Sequence, residues 1–73
     1  MKEALFTTAN GNKVRVDKDG YIAVYTHNRN TFSGYIVDGE IKTKSILGGY
    51  ILKRAYEDYK QLDSMITEQG GEQ

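Results

Sequence analysis

Tyr50-Ile51-Leu52-Lys53-Arg54-Ala55-Tyr56-Glu57-Asp58-Tyr59-Lys60-Gln61-Leu62-Asp63-Ser64-Met65-Ile66-Thr67-Glu68 is the one stretch of the chain with a sustained helical period. Leu52, Ala55, Tyr59, Leu62 and Ile66 recur at spacings of three and four, so they share one face of a helix. Lys53, Arg54, Glu57, Asp58, Lys60, Gln61 and Asp63 fall between them and belong in water. An amphipathic helix of about five turns needs an apolar surface to cover. The residues before it must supply that surface.

They read as short strands. Ala4-Leu5-Phe6-Thr7-Thr8 leads into Asn10-Gly11, a pair that predicts a tight hairpin of type I′ because both central residues must take positive φ. Residues 13–17 alternate strictly, with Val14 and Val16 on one side and Lys13, Arg15 and Asp17 on the other. Lys18-Asp19-Gly20 turns the chain into Tyr21-Ile22-Ala23-Val24-Tyr25-Thr26, a run rich in β-branched and aromatic residues. A polar loop over 27–30 precedes a fourth strand over 31–37, in which Gly34 predicts a bulge or a close backbone approach. Asp38-Gly39 is another turn, and residues 40–44 form a fifth, edge strand whose lysines discourage sheet-to-sheet association.

Ser45 can cap the helix directly, or Gly48-Gly49 can belong to a connector with the helix starting near Tyr50. Propensity favours the later start, because each glycine in a first turn costs roughly 1 kcal/mol relative to alanine.

Together these segments predict one α+β domain over residues 1–69, followed by a frayed tail over 70–73. Its architecture is an antiparallel β-meander of four to five short strands with one C-terminal amphipathic helix packed across one face. Val14, Val16, Ile22, Val24, Phe32, Ile36 and Ile41 then meet the helix stripe. Lys13, Arg15, Tyr21, Tyr25, Ser33, Tyr35, Lys42 and Lys44 lie on the opposite, open face.

At 73 residues the domain has a thin core, and it has no cysteine and one histidine, so neither a disulfide nor a metal site staples it. No cofactor and no metal are expected. The N-terminal residues lack the apolar run of a signal peptide or a membrane span, so the expected location is cytoplasmic. Ten basic and ten acidic residues cancel, which argues against strongly electrostatic binding by the protein as a whole. The charge is unevenly placed, with nine Lys or Arg against five acids before residue 55 and one against five after it.

Few residues offer chemistry. Asp17-Lys18-Asp19-Gly20-Tyr21-Ile22 is similar to part of a calcium-binding EF-hand loop, but Arg15 and Thr26 stand where ligands are required, so a solvated turn is expected. His27 has no nucleophile or orienting acid beside it in sequence, and Ser33 and Ser45 lack a nucleophile-elbow context. Gly48-Gly49 has no phosphate-loop spacing and reads as a joint.

The feature left is the open face, where Lys13, Arg15, Tyr21, Tyr25, Tyr35, Lys42 and Lys44 set aromatic rings among cations. Such a surface suits a protein partner. It also suits a DNA or RNA strand held by cations and stacked rings, the alternative target. The expected function is a non-enzymatic protein-interaction module, such as a small accessory or inhibitor protein of a bacterium or phage. The helix stripe spans barely two heptads, too few for a coiled-coil seam, and a homodimer is a secondary expectation.

Overall fold

The computed structural model describes the backbone of residues 1–72 and the side chains of residues 1–62. Five strands, β1 (Ala4–Thr7), β2 (Lys13–Val16), β3 (Tyr21–Thr26), β4 (Arg29–Val37) and β5 (Glu40–Lys42), precede one helix, α1 (Ile46–Glu72). The strands form one antiparallel sheet in chain order, and α1 packs across one of its faces, mainly over β3, β4 and β5. The architecture is the α+β meander expected from the sequence.

Side-chain parity sorts the residues as the alternation implied. Val14, Val16, Ile22 and Val24 are buried against Leu52, Ala55 and Tyr59, and Phe6, Phe32, Ile36 and Ile41 pack partly buried around them. Leu62 is half-buried. The side chain of Ile66, the last member of the stripe, and residue Gln73 lie outside the described residues, and α1 continues through residues 70–72, where the sequence predicts a frayed tail. The stripe serves the chain's own sheet, so no apolar seam remains there among the described residues for a coiled coil.

The helix starts at Ile46, four residues before the start that propensity favours. Ser45 is the cap: its Oγ accepts a hydrogen bond from the Gly48 N–H at 3.0 Å, and its carbonyl accepts from the Gly49 N–H at 2.9 Å. Gly48 is buried, and a Cβ there would lie 3.0 Å from the Phe32 ring. Glycine lets the first turn sit on the sheet, and that contact outweighs its propensity cost. The joint read at Gly48-Gly49 is therefore ordered helix, with both N–H groups already used.

Gly34 does the same from the sheet side. It faces Ile22 across β3–β4, and a Cβ would meet the Lys42 carbonyl oxygen at 2.7 Å and Leu52 Cδ1 at 3.2 Å. The expected close approach is there, but the bulge is elsewhere. The β3–β4 register shifts between Val24 and Tyr25, leaving Thr31 as the extra residue.

The turns also differ from expectation. At Asn10-Gly11 only Gly11 has positive φ, and Gly11 N–H donates to the Thr8 carbonyl while Thr8 N–H donates to that of Asn12. This is a three-residue loop closing on a left-handed glycine, not a type I′ turn, and Lys18-Asp19-Gly20 repeats it. Type I′ geometry appears instead at His27-Asn28, where the polar loop was expected, and at Asp38-Gly39. The middle of α1 is tied back to the start of the chain by the Tyr59 hydroxyl, which donates to the Lys2 carbonyl at 2.7 Å.

Gly34→Ala is expected to lower stability by roughly 1–3 kcal/mol in urea unfolding, because the contact it violates is backbone. Gly11→Asn meets open space but a φ of 86° that strains a side chain, so it should cost about 1 kcal/mol. Ser45→Ala should cost about 1 kcal/mol.

Candidate interaction surface

The face of the sheet away from α1 carries no covering element among the described residues. Strand register fixes which side chains are neighbours there. Leu5, Arg15, Ala23 and Ser33 form one cross-strand row, and Tyr21, Tyr35 and Lys42 form a second. Lys13 lies opposite Tyr25, which lies opposite Asn30. Lys44 follows β5 and is exposed. Six of the seven residues singled out in the sequence therefore share one face, and Lys44, beyond β5, lines a hollow with Tyr21, Tyr35 and Lys42.

They are not equally available. Tyr35 is 54% exposed and meets the Tyr21 ring edge-on, with centroids 5.5 Å apart. Tyr21 is half-buried, and its hydroxyl accepts a hydrogen bond from Asn30 Nδ2 at 3.0 Å. Asn30 lies opposite Tyr25, so that bond sets the phenol along β3 in the direction of Ala23, which is fully buried although it faces away from the helix. Tyr25 is half-buried beside Lys13 and Arg15.

The cations are partly answered. Arg15 Nε donates to Asp17 Oδ1 at 3.0 Å, and Lys42 Nζ lies 3.5 Å from Glu40 Oε2. The Asp17 carboxylate, by hydrogen bond and charge, holds the Arg15 guanidinium above its ordinary pKa, with a smaller contribution from Tyr25. Both ion pairs are exposed and contribute little to stability. Lys13 and Lys44 have no carboxylate partner among the described residues.

Two hollows open on this face. One of about 540 Å³ lies among Glu3, Leu5, Lys13, Arg15, Asp17 and Tyr25. The other, about 640 Å³, lies among Tyr21, Ser33, Tyr35, Lys42 and Lys44. Glu3, Leu5, Asp17 and Asn30 thus belong to the surface, although the sequence did not single them out as binding residues. Ala4-Leu5-Phe6 is apolar on both sides, so its hydrophobicity carries no parity. Only the register set by the Thr8–Asn12 turn shows that Leu5 points outward.

Away from this face, Ile46, Leu47 and Tyr50 are exposed at the start of α1. His27 sits at an exposed turn and bonds to no other side chain among the described residues. No group of three or more potential metal ligands occurs among the described residues, and no helix is long and apolar enough to cross a membrane. Comparison with protein-family models, with curated proteins and with solved structures finds no match for the chain.

Arg15→Glu should lower stability by about 1 kcal/mol or less, since the side chain is exposed and the change loses one exposed ion pair and sets a second carboxylate beside Asp17. Ala23→Leu on the same face should cost more, roughly 1–3 kcal/mol, because it displaces the Tyr21 ring. Urea midpoints of the two variants test this ordering, and the reverse order would mean that the ring does not cover Ala23.

Proposed function

We propose that the chain is a small non-enzymatic protein-interaction module, of the kind that serves as a cytoplasmic accessory or inhibitor protein of a bacterium or phage. Its partner is a protein, met by the open face of the sheet. The observation that carries this is the make-up of the face: exposed Tyr35 and Leu5, two half-buried tyrosines, and charges of both signs around them. Tyrosine and arginine are the side chains that most often anchor protein interfaces. The sheet holds them at fixed spacing, so little ordering entropy is lost on binding.

A phosphate backbone selects for unopposed cations. Here Arg15 and Lys42 already touch carboxylates, and Glu3 lies beside the Arg15 hollow. Lys13 and Lys44 with the tyrosine rings support nucleic acid as the second reading, with fewer contacts to offer.

The test has two arms. Binding to generic duplex DNA should be undetectable even at about 50 mM salt, where a face neutralising several phosphates would bind and then weaken steeply as salt rises. Proteins captured by the native chain from its source organism should be lost when Tyr35→Ala and Arg15→Glu are combined in a variant with unchanged circular dichroism. A steep salt-dependent DNA isotherm, or capture indifferent to both substitutions, overturns the proposal.

A further inference from the structure

The two edges of the sheet are unlike. β5 is three residues long, carries Glu40 and Lys42, and runs through Thr43–Ser45 into the helix. β1 is Ala4-Leu5-Phe6-Thr7, with no charge, proline or bulge to blunt it. Thr8 N–H donates to the Asn12 carbonyl. Alternation along an antiparallel ladder then turns the backbone groups of Ala4 and Phe6 toward β2. The N–H and C=O of Leu5 and Thr7 point outward, with no strand beside them among the described residues.

The side chains at this edge are also incompletely covered. Leu5 is 74% exposed on the open face. On the other face α1 lies mainly over β3, β4 and β5, and Ala4 and Phe6 are only partly buried.

We propose that β1 pairs antiparallel with β1 of a second copy, about a two-fold axis at Leu5, joining two five-stranded sheets into one. In that register Leu5 faces Leu5 of the second copy, and Glu3 faces its Thr7. Ala4 faces its Phe6 on the helix side. Apolar side chains meet apolar ones on both faces, and no like charges stand opposite one another. This self-match selects a second copy over an unrelated strand. A domain of this size without disulfide or metal gains most from such added burial. The interface is isologous; it covers Leu5, which the partner face proposed above also includes, and leaves Tyr21, Tyr35 and Lys42 free. The two proposals are therefore told apart by Thr7→Pro, which touches only the edge, and Tyr35→Ala, which touches only the face.

Paired edges of this length bury less than the roughly 1,200–2,000 Å² of a standard interface, so the dimer should dissociate on dilution. Sedimentation equilibrium of the intact chain from micromolar to about 1 mM should show the mass rising from 8.3 kDa toward twice that value. Leu5→Lys and Thr7→Pro should each weaken self-association by roughly tenfold or more with unchanged circular dichroism, since the proline removes only an outward N–H. In the native chain, amide exchange at Leu5 and Thr7 should slow as concentration rises. A constant mass of 8.3 kDa, exchange at those amides indifferent to concentration, or association that survives both variants and is lost with Tyr50→Ser overturns the proposal.

Discussion

Leu52 rests on the bare backbone of Gly34, and the depth of that contact governs how the rest of the molecule can be arranged. A side chain at Gly34 would collide with the Lys42 carbonyl and press on Leu52 at once, so the helix could not approach so closely over β4. A second glycine, Gly48, makes the matching concession on the helix against Phe32. With the helix seated between these points, Ala55 and Tyr59 continue the same line and close over Val14, Val16, Ile22 and Val24. A small domain has few apolar side chains to bury, and close approach of two backbones is a way to remove more surface without adding residues.

That economy has a counterpart on the other side of the sheet. Because one helix covers one face, every odd-numbered position of β2 and β3 is turned away from it, and the chain fills those positions with two cations, two tyrosines and one alanine. The Tyr21 phenol is held by Asn30 and meets the Tyr35 ring edge-on, and Ala23 on the same face is fully buried without a second layer. Two of the face's cations, Arg15 and Lys42, already meet carboxylates, while among the described residues Lys13 and Lys44 do not.

The sheet and its sidedness were legible because Val14 and Val16, Ile22 and Val24 alternate with polar residues, and that period has one physical solution. The helix start was not. Propensity counts Gly48 and Gly49 as a penalty, and the compensating contact with Phe32 lies sixteen residues upstream, beyond the reach of any local rule. Turn types failed for a related reason. Asn10-Gly11 satisfies the two-residue pattern, but the Thr8–Asn12 pair closes a loop one residue longer, and His27-Asn28 makes the tight turn without any glycine. The bulge at Thr31 has no marker in the sequence at all, whereas Gly34, which looked like one, is a seat for the helix. On the open face, the tyrosines and cations of the central strands could be placed from parity, while Leu5 depended on the register of a hairpin whose turn was misread.

The order of the strands in space copies their order in the chain. Every strand pairing is therefore made between neighbours in sequence across a turn of two or three residues, and the loops that must close to build the sheet are short. The hydrogen bond from Tyr59 to Lys2 spans fifty-seven residues and is of the opposite kind. It can form only after the meander has brought β1 to its place and the helix has docked. In kinetic terms the sheet can assemble hairpin by hairpin, with the helix as a late clasp that fastens its middle to the start of the chain, so loss of the clasp should appear mainly as faster unfolding and scarcely as slower folding.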